Sequence, residues 1–196
     1  YFVCYLAGLL RTRERQLLES AFHDALTGLP SRDLFLERLR QAMARADTAR
    51  SHGRPAARFA VLFLDLDRFK IINTSLGHRL GDQLLVDTAR RLEACVKPID
   101  TVARLSGDEY VILLEDYHDE CAPTRIAERA QEVLSLPFNL GGHEAFTSAS
   151  IGIALGADGY HVPEEIIRDA QTAMYRAKAQ GKACHALFEE QMRPRA

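Results

Sequence analysis

Two short acidic segments carry most of the chemistry available to this chain. In Arg104-Leu105-Ser106-Gly107-Asp108-Glu109-Tyr110-Val111 a small-residue turn precedes two adjacent acids, and an apolar stretch follows them. In Phe63-Leu64-Asp65-Leu66-Asp67-Arg68-Phe69-Lys70 an apolar run ends in alternating acids. Carboxylates beside buried β-structure are costly unless they share a proton or hold a cation. A strand ending in acids, next to a hairpin tipped with acids, can build an oxygen-rich divalent-metal site for phosphate chemistry. Each segment has a plainer reading as well. Ser-Gly-Asp is ordinary turn chemistry, Asp65 could be a hydrated strand-end acid, and Asp67 reads best as the N-cap of a following helix.

The elements that must position these residues follow from periodicity and punctuation. Phe59 to Leu64 is almost uninterrupted apolar sequence, which suits a central strand buried on both faces. Asp67 is expected to open a short helix through Ile72. A second helix is expected from Asp82 to about Val96, with Leu84, Leu85, Ala89, Leu92 and Val96 on one face. Val102 to Arg104 and Glu109 to Leu114 form a hairpin around Ser106-Gly107-Asp108. Upstream, Ser31 caps a helix to about Arg45, and the polar stretch 47–57, with Gly53 and Pro55, reads as a loop. Downstream come a helix over Pro123 to Leu136 and a strand over Phe146 to Leu155. Pro163 suits the first turn of a helix that runs to Gln180 and stops at Gly181, before a last strand over His185 to Phe188. Lys178 and Lys182, four apart, share a face if that helix reaches them. The mixture implies an α/β (α+β) fold around one central sheet.

The 196 residues suffice for one domain with short flanks, and 47% hydrophobic content supplies a core. A net charge of -2 gives no general basic field and excludes bulk nucleic-acid binding, leaving any phosphate recognition to local cations. Cys4, Cys95, Cys121 and Cys184 are scattered without paired spacing, as expected of reduced thiols in a cytoplasmic protein. The first residue is Tyr1 rather than Met, and a piece of a longer protein is expected. Tyr1 to Leu10 is apolar but too short to span a bilayer. It could end a preceding membrane helix or a preceding sensor domain. The expected division is a linker helix over 1–21, a main domain over 22–188 and a C-terminal linker over 189–196.

Further segments join the two acidic ones. Asp24-Ala25-Leu26-Thr27-Gly28-Leu29-Pro30-Ser31-Arg32, the Asp65 to Lys70 run, Asn73 to Asp82, Ser106 to Tyr110, and Ala177-Lys178 with Gly181-Lys182 follow one another in that order. From about Phe22 to about Phe188 the chain thereby resembles the GGDEF family of diguanylate cyclases. The resemblance implies a five-stranded mixed sheet flanked by helices, similar to nucleotidyl cyclases and the polymerase palm. It implies that Asp65, the Leu66 carbonyl, Asp108 and Glu109 ligate two Mg²⁺ or Mn²⁺ ions per GTP. Glu109 and Lys70 would be catalytic, one activating the attacking hydroxyl and the other stabilising developing charge. Asn73, His78 and Asp82 would read guanine, Lys178 and Lys182 would hold the β- and γ-phosphates, and Ser106 and Gly107 would line the substrate. Gly77 and Gly81 would let the backbone turn close to the ligand.

The implied reaction joins two GTP into cyclic di-GMP with release of two pyrophosphates, in a homodimer whose domains face each other. A GTP-binding regulatory domain controlling an adjacent phosphodiesterase is the alternative. An upstream sensor would act through the Arg11 to Phe22 helix, which either pairs with its twin or packs on its own domain. A downstream EAL domain is suggested by Phe188, Met192, Arg195 and Ala196, which resemble the junction preceding such domains. The longer protein could be membrane-anchored. Several residues depart from the family pattern, among them Thr74, which stands where Asp is frequent, and Lys182, where Arg is often found. Ser106 replaces a glycine, at a cost of ~1 kcal/mol if the turn requires positive φ there. Tyr110 replaces Phe and brings a hydroxyl that needs a partner if buried. Lys97 and Asp100 occupy the product-inhibition motif, where lysine replaces arginine and cannot make its two-pronged contact, so this site is expected to be degenerate.

Overall fold

The computed structural model describes residues 22–53, 57–156 and 160–192. The expected linker helix and the 193–196 end of the C-terminal linker lie outside the described residues. In chain order the elements are α1 (Arg32–Ser51), β1 (Phe59–Asp67), α2 (Phe69–Leu76), α3 (His78–Glu93), β2 (Thr101–Ser106), β3 (Glu109–Glu115), α4 (Ala122–Ser135), β4 (Phe138–Leu140), β5 (His143–Ala145), β6 (Ser148–Leu155), α5 (Pro163–Ala179) and β7 (His185–Leu187). Five strands form one mixed sheet in the order β2-β3-β1-β6-β7, antiparallel throughout except for the β6–β7 pair. Among the described residues no helix is long and apolar enough to cross a membrane.

The uninterrupted apolar run of β1 is explained by strand parity. Side chains alternate between faces, and each face of this central strand meets a separate core. Ala60, Leu62, Leu64 and Leu66 pack with Leu84, Leu85 and Leu92 of α3 and Ala127 and Leu134 of α4. Phe59, Val61 and Phe63 pack with Phe35 and Leu39 of α1 and Ile166, Ala170 and Met174 of α5. By the same alternation Asp65 and Asp67 fall on the α5 side. In β3, Tyr110 and Ile112 belong to the first core and Val111 and Leu113 to the second, so Glu109 also falls on the α5 side. The register pairs Asp65 directly with Glu109.

Several boundaries differ from the sequence expectation. Asp67 does not cap a helix: it is the last residue of β1, and α2 begins at Phe69 after Arg68, which sits at φ 62°. The Asp67 carboxylate is instead consumed by distant donors. Ser150 Oγ reaches one oxygen at 2.8 Å, while Ser148 Oγ at 2.7 Å and the Ala183 N–H at 3.0 Å share the other. The next helix starts at His78, not Asp82, because Gly77 at φ 85° breaks the chain between α2 and α3. Gly81 therefore lies inside a helix and turns nothing. In α1 the helix continues to Ser51, past the expected end at Arg45. The β4–β5 hairpin, closed by Gly141 and Gly142 at positive φ, was not expected from the sequence. The last long strand starts at Ser148 rather than Phe146. Cys95, Cys121 and Cys184 are free thiols among the described residues.

Candidate active site

The end of β1, the β2–β3 turn and the end of α5 meet at one end of the sheet. Gly107 supplies the turn's positive φ, at 48°, a conformation that costs glycine little. Ser106 is not among the residues with positive φ. It sits at the end of β2 opposite Glu109, so the expected backbone cost of serine at this position is absent. The Leu66 N–H donates to the Asp108 carbonyl at 3.3 Å, tying the turn to β1. These contacts place Asp65, Asp108 and Glu109 together at that end.

The acids are unequally satisfied. Lys178, in the last turn of α5, places Nζ 2.6 Å from Asp65 Oδ1, with side-chain exposures of 27% and 13%. Burial, and next the charge of Asp65, push the Asp108 carboxyl above its ordinary value, with a smaller push from Glu109. A hydrogen bond from its own backbone and the charge of Lys178 pull the other way. Glu109 turns toward β2, where the exposed Ser106 hydroxyl donates to Oε2 at 3.0 Å. Among the described residues no group of three His, Cys, Asp or Glu side chains stands ready to hold a metal. The donor chemistry nevertheless fits a hard cation. The donors that the resemblance implies are carboxylate oxygens and a peptide carbonyl, and the half-buried Asp108 is under electrostatic pressure from its neighbour. Asp67 is not part of this set, being 4% exposed and fully bonded.

Sequence reasoning missed the brace that holds the turn. Arg104 donates from Nε and Nη2 to the Gly107 carbonyl at 2.9 and 2.8 Å, and from Nη1 to both oxygens of Asp24 at 3.1 and 2.9 Å. Asp24 also accepts the Thr27 N–H at 2.8 Å and the Thr27 hydroxyl at 2.7 Å. Burial alone would raise the Asp24 carboxyl. The Thr27 side-chain and backbone bonds, with Arg104, outweigh it and hold the group below its ordinary 3.8. The available signal was a lone arginine in the apolar strand Val102-Ala103-Arg104-Leu105. Behind the turn, buried Tyr110 donates its hydroxyl to the Leu85 carbonyl at 2.8 Å, satisfying the group that replaces the family's Phe. Burial pushes that phenol upward.

The remaining candidates divide. Asn73 of α2 lies against α3: its buried Oδ1 has no hydrogen-bond partner, and a Cβ added at Gly81 would sit 1.7 Å from it. Glycine at 81 thus leaves room for the Asn73 side chain rather than making a turn. His78 and Asp82 are exposed on the first turns of α3, and Lys70 is exposed on α2. Lys182 does not share a helix face with Lys178. α5 stops at Ala179, and Lys182 follows at φ 68°, lining a 290 Å³ cleft with Asp67, Arg68 and Ser148. Lys97 and Asp100 lie apart, in a 420 Å³ cleft with His23, Arg38 and Glu93. There Asp100 accepts the Lys97 N–H at 2.9 Å and the Glu115 N–H at 3.1 Å.

Residues 21–184 match the family described as diguanylate cyclase, GGDEF domain. The chain is 44% identical over 187 residues, 95% of its length, to the bifunctional diguanylate cyclase/cyclic di-GMP phosphodiesterase MucR of Pseudomonas aeruginosa, and spans 26% of that protein. It is 39% identical over 181 residues, 92% of its length, to the diguanylate cyclase TpbB of the same species, and spans 40% of it. A solved structure of the TpbB GGDEF domain superposes with a TM-score of 0.79 at 39% identity, covering 87% of this chain and 96% of that one.

Proposed function

The chain belongs to the diguanylate cyclase GGDEF domain family, and from that premise we propose that it condenses two GTP into cyclic di-GMP. Each 3′-hydroxyl would attack the α-phosphate of the other nucleotide, forming one phosphodiester bond and expelling one pyrophosphate. Two domains facing each other would each hold one GTP with two Mg²⁺ or Mn²⁺ ions. The observation that carries this reading is the pairing of Asp65 with Lys178 beside the pressured carboxyl of Asp108. Asp65, Asp108, Glu109 and the Leu66 carbonyl would hold the metal. When bound, the ions neutralise phosphate charge and lower the pKa of the attacking hydroxyl. Lys178, released from Asp65, and Lys182 would hold the β- and γ-phosphates. Lys70 would stabilise developing charge. The Asn73 amide would donate to the guanine O6 and exposed Asp82 would accept from its N1/N2 edge, with His78 beside them. Glu109 would take the proton of the 3′-hydroxyl.

Similarity to MucR, whose name carries both activities, favours a second reading in which this unit binds GTP and regulates an adjoining EAL phosphodiesterase. An upstream sensor would then set the geometry of the dimer. Incubating a dimerised protein with GTP and Mg²⁺, followed by chromatography, separates the two. Cyclic di-GMP as product supports the cyclase. GTP bound and recovered unchanged supports the regulatory domain.

A further inference from the structure

Ser106 gives this chain a contact that a glycine at the same position cannot make. Asp65 and Glu109 are directly opposite on β1 and β3, and like charges so placed repel. Each is drawn aside by a different neighbour. Lys178 takes Asp65 at 2.6 Å, and the Ser106 hydroxyl takes Glu109 Oε2 at 3.0 Å. Ser106 is able to do this because it faces Glu109 in the β2–β3 register, where a bulge between Arg104 and Ser106 shifts the pairing. With Glu109 drawn toward β2, no three acidic side chains among the described residues converge on one point.

We propose that Ser106 is a latch that competes with the metal for Glu109. This rests on the functional reading above, in which Glu109 is a metal ligand. In the latched position one carboxylate oxygen of Glu109 is committed to the hydroxyl. Metal loading must break that bond, or share its acceptor, to bring Glu109 back toward Asp65 and Asp108. A hydrogen bond to a charged acceptor is stronger than a neutral one, and its loss is set against the energy of ligation. Ser106 acts here as a positioning residue: through its hydrogen bond to Glu109 it sets how readily the third carboxylate is delivered. The hydroxyl responsible is the departure from the family signature that composition alone would mark as a defect.

The test uses Mn²⁺ and a non-hydrolysable GTP analogue, with bound Mn²⁺ followed by electron paramagnetic resonance and analogue affinity by calorimetry. Ser106→Ala and Ser106→Gly are expected to bind Mn²⁺ about three- to tenfold more tightly than the parent in the presence of the analogue. Ser106→Thr keeps the hydroxyl and is expected to match the parent. In a Glu109→Gln background the Ser106 substitutions are expected to have no further effect, because the coupling passes through that carboxylate. Damage to the turn would weaken metal binding, so an increase in affinity is not the signature of a merely structural role. Equal or weaker Mn²⁺ binding by Ser106→Ala, with the parent binding metal and analogue together, overturns the latch and leaves the functional reading standing. A parent that binds the analogue without any Mn²⁺ dependence overturns the functional reading, and the latch with it.

Discussion

Asp65 and Asp67 are two residues apart on one face of one strand, yet they live in opposite electrostatic circumstances. Asp67 is buried, and its two oxygens receive two hydroxyls and a backbone N–H. Asp65 faces a single ammonium, an acid across the strand and a second acid in the adjoining turn. A carboxylate with both oxygens already engaged by three fixed donors has little left to offer a ligand, and it fastens β1 to β6 and to the loop after α5. A carboxylate held by one flexible lysine among like charges gains by accepting a cation. The difference teaches that burial and acidity together do not mark a site. Unfilled acceptor capacity does.

The sharpest way to break this comparison is to exchange the consequences of the two environments. Asp108→Asn removes a proposed metal donor and is expected to lower cyclic di-GMP formation by about 10³-fold, a loss of about 4 kcal/mol of transition-state stabilisation. Product chromatography of a dimerised protein checks it. Asp67→Ala strands two serine hydroxyls and an N–H, and is expected to destabilise the fold by about 2–4 kcal/mol in urea denaturation. If Asp67→Ala left stability unchanged and abolished only turnover, the assignment of structural and functional acid would be reversed.

The pH dependence of stability sharpens the contrast in two directions. Asp24 has a folded pKa below its ordinary 3.8, so its stabilisation is present above that value and is lost as pH falls through the folded pKa. Asp24→Asn is expected to cost about 1 kcal/mol at neutral pH, with the deficit shrinking on acidification below the ordinary carboxylate value. Asp108 behaves oppositely. Its folded pKa is raised, so the folded state binds the extra proton and stability falls as pH rises through that window. Asp108→Asn is therefore expected to be at least as stable as the parent at pH 7, with the two converging below the ordinary 3.8. Equilibrium unfolding across pH 3 to 7 measures both signs.

The smallest effect concerns Lys97 and Asp100, the proposed degenerate product site. Both oxygens of Asp100 already receive backbone N–H groups, and Lys97 lacks a planar fork. Added cyclic di-GMP is expected to inhibit only at high concentration, and Lys97→Arg to strengthen inhibition without changing initial turnover. Tight binding by the parent, abolished by Asp100→Ala, would show that lysine suffices.

Much of the site was legible because its chemistry sits in contiguous segments. The buried strand that carries Asp65 and the hairpin tipped by Asp108 are local patterns, and parity carries Glu109 to the same face as Asp65. What was not legible depended on distant partners. Asp67 reads as a helix cap until Ser148 and Ser150, on another strand, are brought to it by the β1–β6 register. Ser106 looked strained because the family's glycine suggested positive φ, whereas the register places it in β2. Lys182 would share a helix face with Lys178 only if α5 reached it, and the helix ends at Ala179, close to the stop that Gly181 signals. Arg104 was passed over as a strand residue, since its role depends on Asp24, eighty positions away in the chain.

The most direct test of the account is the Mg²⁺-linked affinity of Asp65→Asn for GTP, measured by calorimetry on protein whose urea midpoint matches the parent. The account predicts that added Mg²⁺ no longer increases GTP affinity in this variant while the fold is retained. An unchanged metal-linked affinity would contradict it and place the nucleotide and its ions elsewhere on the molecule.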